Sequence, residues 1–115
     1  MSAAPPSLSI EVLWEELWIS LASLLRSYAA AHGLSAGRQP EVEADGSRIV
    51  VRHHRHCLEL TRTGAQVTWR REDGRSGTLE FTEAGRLRGD SGEEEMDMAA
   101  EAWARELMKI TETLR

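Results

Sequence analysis

One cysteine, Cys57, stands in 115 residues, so no disulfide can form within the chain and a reducing, cytoplasmic setting is the simplest expectation. Long apolar runs are missing too. The most apolar stretch, early in the chain, is broken by Glu11, Glu15 and Glu16, which excludes a membrane-spanning helix there. Met1 to Ser9 has no basic region followed by an apolar stretch and a cleavage-like end, which predicts no secretory signal. There is no internal repeat, no low-complexity tract and no Gly-rich phosphate loop. With 41% hydrophobic and 29% charged residues, the composition fits one globular domain and excludes disordered, collagenous and coiled-coil classes.

Lysine is nearly absent: of 14 basic residues only Lys109 is not arginine. Arginine suits phosphate or carboxylate recognition, and a GC-rich genome produces the same bias. The net charge of −5 is unevenly spread. Residues 1–37 set Arg26 against three acids, 38–88 hold ten arginines against eight acids, and 89–115 hold three bases against eight acids.

Residues 1–8, with Ala3-Ala4-Pro5-Pro6, read as a disordered lead-in to a single domain over 9–115. A helix is predicted from about Ser9 to Ala31, with Ser7 or Ser9 as N-cap and Gly33 just past its end. Ile10, Leu13, Trp14, Leu17, Leu21, Leu24, Leu25 and Tyr28 form its buried stripe. Trp18, Ala22 and Ala29 widen that arc, and Val12 and Ile19 stand almost opposite. His32 is expected to meet the last carbonyls of this helix.

Beyond Pro40 the apolar period changes from 3.6 to 2, and residues 41–88 read as a β-meander. Turns centred on Asp45-Gly46, His54-Arg55, Thr63-Gly64 and Asp73-Gly74 pair Val42 with Ile49, Ile49 with Leu60, Val51 with Leu58, Leu60 with Val67, Trp69 with Leu79 and Val67 with Phe81. Every such pair is apolar, so one sheet face is expected to be buried. Arg86 to Arg88 offers a weak sixth strand. Gly89-Asp90-Ser91-Gly92 is expected to end the sheet, and a second helix is predicted over 92–113, with Ser91 and Glu94 as a capping box. Its stripe is Met96, Ala99, Ala100, Trp103, Leu107, Ile110 and Leu114.

These elements predict an α+β two-layer sandwich in the order helix, five-stranded antiparallel meander, helix, with both helices on one face of the sheet. That order resembles frataxin-like proteins and, more loosely, small bacterial secretion chaperones. The resemblance implies a fold only, since the chain carries no motif of either. Three acids on the first helix also fall short of the dense acidic ridge of a frataxin's iron-binding surface.

His53-His54-Arg55-His56-Cys57 holds the usual zinc or copper ligands. On strands either side of a tight turn, His53 and His56 share a face and Cys57 points to the other, so at most two ligands meet and no metal site is assigned. Whether His53, His54 or His56 binds a metal stays open. The expected register sets Cys57 between Arg52 and Arg70 on the outer sheet face, an anion-binding or reactive-thiol arrangement. That face also carries Arg48, Glu59, Glu80, Thr61, Thr68, Thr78 and Thr82, with Val50 its one sizeable apolar group. It offers no stacking aromatic, which speaks against nucleic acid.

No catalytic residues and no cofactor are assigned, and an enzyme is the less favoured class. The wide arc on the first helix makes Trp14, Trp18, Ile19 and Ala22 the expected interface. The reading is a small, non-enzymatic, cytoplasmic protein-interaction module, a homodimer that binds a protein partner, away from membranes. Its alternatives are a ligand- or nucleic-acid-binding sheet using the arginine-bearing outer face, and a redox or metal role through Cys57, His53 and His56.

Overall fold

The computed structural model describes residues 6–36 and 40–109, with side chains over 10–33 and 40–107. In chain order the described elements are α1 (Pro6–Ala36), β1 (Glu41–Ala44), β2 (Arg48–His53), β3 (His56–Thr63), β4 (Gln66–Arg71), β5 (Ser76–Phe81), β6 (Arg86–Gly89), β7 (Gly92–Glu95) and α2 (Met96–Lys109). The expected α+β class with an antiparallel sheet is found, but the described residues form seven strands, not five. They lie in sequence order, each paired with the next. Among the described residues no helix is long and apolar enough to cross a membrane.

Three connections differ from expectation in the same way. Asp45 accepts hydrogen bonds from the Ser47 and Arg48 N–H groups, both at 2.9 Å, and its own N–H donates to Arg48 O. The side chain thereby stabilises a longer turn, so Ala44 rather than Val42 faces Ile49, and Val42 faces Val51. Gly64, at φ 59°, sets the next turn one position further on, which brings Leu60 opposite Trp69. The Arg71 to Arg75 loop closes with Arg71 N–H on Arg75 O, and Val67 comes opposite Leu79 and Trp69 opposite Gly77. Each correction moves a register by two residues. A shift of two leaves every side chain on its face, so the alternation survives. The His54-Arg55 turn pairs Ile49 with Leu60 and Val51 with Leu58 as expected, with His54 at φ 58°.

The sheet also extends past its expected end. Gly89 pairs with Gly92 across a two-residue turn, and Glu93, Glu94 and Glu95 lie in β7 rather than in the first turn of a helix. Gly92 at φ +118° permits the reversal, and with the chain folded back on β6 the second helix begins only at Met96. Its expected stripe members Ile110 and Leu114 lie outside the described residues. At the other end, Pro6 opens α1 in the position where its missing N–H costs nothing, ahead of the expected Ser9. Residues 1–5 of the expected lead-in lie outside the described residues. The helix also runs through Gly33 to Ala36, past its expected end at Ala31. Contacts to α2 outweigh the glycine: Tyr28 donates to Asp97 at 2.6 Å, and His32 pairs with Glu101 at 3.2 Å instead of with helix carbonyls.

The core joins one face of the sheet to both helices. Ile49, Val51, Leu58, Leu60, Val67, Phe81 and Leu87 meet Trp14, Trp18, Leu21, Leu25 and Ala29 of α1 and Ala99, Ala100 and Leu107 of α2. Trp14 stacks on Phe81 with ring centroids 6.4 Å apart. Much of the packing of α1 is against α2 rather than directly on the strands.

Candidate functional site

Of the sheet residues expected in the core, Val42, Trp69 and Leu79 are only half-buried. Trp69 and Leu79 mark a place where the inner sheet face is left open. There a groove of about 560 Å³ is lined by Trp69, Leu79 and Leu87 on its apolar side and by Ser76, Thr78, Asp90, Ser91, Glu93 and Glu94 around it. Among the described residues, none from a helix lines it.

Two glycines shape this groove. A Cβ at Gly77 would stand 2.5 Å from Trp69 Nε1, and one at Gly89 would stand 2.6 Å from Leu79 Cδ2. The large side chains therefore lie across the glycines, which keeps the floor low. Glu94 is in register with buried Leu87, so its carboxylate belongs to this same inner face. The groove has an acidic rim and, among the described residues, no basic, histidine or cysteine side chain in its lining.

Arg71, also on the inner face, is only 6% exposed. Its alternation with Val67 and Trp69 places it inward, a sign present in the sequence that the reading of Arg70 passed over. Its guanidinium donates to Glu106 Oε1 at 2.9 Å and to Cys57 O and Glu72 Oε1 at 3.3 Å. Glu72 in turn accepts from Cys57 N–H and pairs with His56 Nδ1, both at 2.9 Å. Burial would push the Glu72 pKa up, yet the bonds from Cys57 N–H, His56 and its own N–H, with the Arg71 charge, outweigh that and hold it down at about 2. This network ties the β2–β3 turn to α2.

Cys57 faces Arg52 across β2, as expected, but Arg70 lies opposite Glu59 and Ser76. The pair of guanidiniums expected to flank the thiol is not assembled, because the two-residue shift of β4 carries Arg70 away. His53 is buried with its ring edge-on to His54, and among the described residues no three His, Cys, Asp or Glu side chains converge as metal ligands.

Apart from Arg70, which has no ion pair among the described residues, the arginines of the outer face are paired. Arg48 pairs with Glu59, Arg52 with Glu43 at 3.7 Å, Arg88 with Glu80 at 2.8 Å and Arg86 with Glu95 at 3.5 Å. Val50 sits between the first two pairs and is 3% exposed, consistent with arginine stems folding over it. Arginines already neutralised in this way offer little to a phosphate backbone.

The arc read as an interface on α1 is spent inside the chain. Trp18 is 2% exposed, donates to Asp45 O at 2.7 Å and lies under the Arg62 guanidinium. Trp14 and Ala22 are buried with it, and Ile19, 64% exposed, alone of the four reaches solvent, with Val12 near it on the same helix. The long helix is wrapped more fully than one sheet face requires because α2 covers a second side of it.

Comparison with known protein families, curated proteins and solved structures finds no match for this chain.

Proposed function

We propose that this protein is a small, non-enzymatic interaction module whose binding site is the groove on the inner face of β4 to β7, and that it takes an apolar segment of a protein partner. The observation that carries the reading is the half-exposure of Trp69 and Leu79 in a groove that no described helix residue lines. An apolar floor with a polar rim is the composition of a binding site, and a half-buried tryptophan in its lining is a favourable anchor. Ser76, Thr78 and Ser91 have no histidine or lysine among the described lining residues to activate them, and the reading is therefore binding rather than turnover. A homodimer is the weaker form of the reading, since the arc on α1 retains only Ile19 and Val12 in solvent. Nucleic acid fits poorly, because Asp90, Glu93 and Glu94 on the rim repel phosphate.

Selection from a displayed random-peptide library tests this. Selected peptides are expected to shift the Trp69 indole and the Gly77 and Gly89 amides, and to bind Leu79→Glu at least about tenfold more weakly. Peptides that bind Leu79→Glu as well as the wild type overturn the reading.

A further inference from the structure

We propose that the occupant of this groove is an extended, cationic segment of a partner protein that joins β7 as an eighth strand, an inference that rests on the groove reading above. β7 is the last strand of the sheet and all four of its residues are exposed. Along its outer edge, backbone N–H and C=O groups have no neighbouring strand among the described residues, which is the template that strand addition uses.

The groove opens toward that edge. Gly92, on the inner face in register with Gly89, has nothing within 4 Å of where a Cβ would stand. An inward side chain on an added strand therefore passes over Gly92 without obstruction and meets Leu79, which lies across Gly89. Every second residue of the added strand would project this way.

Charge selects the partner. Glu93 and Glu95 stand on the outer face of β7, Glu94 on the inner face, and Asp90 in the adjoining turn. Glu95 pairs with Arg86 at 3.5 Å and Glu93 stands opposite Arg88, whose charge it feels, while Asp90 and Glu94 have no ion-pair partner among the described residues. Opposite charges across neighbouring strands stabilise pairing and like charges oppose it. A second copy of this chain would bring either β7 again or the other edge, β1, with Glu41 and Glu43. Both are acidic, so edge-to-edge self-pairing is opposed. The complementary segment alternates lysine or arginine, facing Glu93 and Glu95, with apolar residues facing the groove.

The test is a titration of the full chain with the peptide acetyl-Lys-Val-Lys-Val-Lys-Val-amide, followed by amide and indole NMR shifts. Three comparison peptides are used: one N-methylated at alternate amides, one with glutamate replacing lysine, and an uncharged apolar helical peptide. The expected result is that the Gly92 to Glu95 amides and the Trp69 indole move together. N-methylation on the pairing edge should weaken binding at least about tenfold, and so should the double change Glu93→Gln with Glu95→Gln. Binding indifferent to N-methylation, or a Trp69 shift with the β7 amides unmoved, overturns strand addition and leaves the groove reading standing. If neither the cationic strand nor the helical peptide moves Trp69 or Gly77, both fail.

Discussion

The Trp69 indole lies across Gly77, its partner in the next strand, so closely that a Cβ at Gly77 would stand 2.5 Å from Nε1 and 2.8 Å from Cε2. This contact sets the depth of the groove. Gly77→Ala must displace the indole or part the strands, at a cost of about 1–3 kcal/mol. Urea unfolding should show that loss, and the Trp69 indole resonance should move while those of Trp14 and Trp18 stay. Gly46→Ala is the control: its Cβ would meet nothing within 4 Å, and the change should stay within about 0.5 kcal/mol of wild type. Equal stability of the two variants would show that the indole is free to leave Gly77.

Trp18 and Ile19 are neighbours in sequence with opposite fates, one in the core and the other in solvent. Trp18→Ala should cost about 3–5 kcal/mol, through lost packing and an Asp45 carbonyl left without its donor. Ile19→Ala should change stability by no more than about 0.5 kcal/mol. Urea midpoints measured at several protein concentrations decide it. A concentration-dependent midpoint that Ile19→Ala abolishes would restore α1 as an interface.

The face of each strand was legible in the alternation of apolar residues, and it held through three register errors because each was a shift of two. Turn length was not legible to the same degree. Asp45-Gly46 is a strong signal for a two-residue turn, yet the Asp45 carboxylate captures two N–H groups and lengthens it. β7 was hidden because Gly-Glu-Glu-Glu carries no apolar alternation, and an edge strand open to water needs none. The groove was hidden for a related reason. The sequence marks Trp69 and Leu79 as inward, but whether a helix reaches them depends on how α1 divides its packing between α2 and the sheet, which periodicity does not encode.

Tyr28 is the single tyrosine, and its hydroxyl donates to Asp97 Oδ1 at 2.6 Å, joining α1 to α2. The hydrogen bond to Asp97, then desolvation and the Asp97 and Glu101 charges, push its pKa above the ordinary 10.0. The fold thus favours the neutral phenol, and this contribution to stability is present below the ordinary value and lost as pH rises past it. Ultraviolet titration should find phenolate forming at higher pH in the native chain than in urea, and Asp97→Asn should bring the two curves together. Identical curves in the wild type would mean that the α1–α2 hydrogen bond does not persist in solution.

Glu72 provides the acid-side counterpart. Its pKa in the fold, about 2, lies below its ordinary 4.5, so its stabilising contribution is complete above the ordinary value and is lost as pH falls toward about 2. Protonation removes an acceptor of Cys57 N–H and one of the two carboxylates that balance the buried Arg71, leaving Glu106, which is half in solvent. Glu72→Gln should therefore be less stable than wild type near neutral pH, and the gap in urea midpoint should close as both are acidified through that interval. Glu80→Gln, on the outer face, gives a comparison in which a carboxylate is lost from an exposed pair with Arg88. A gap between wild type and Glu72→Gln that stays constant on acidification would mean that Glu72 acts through its shape and not its charge.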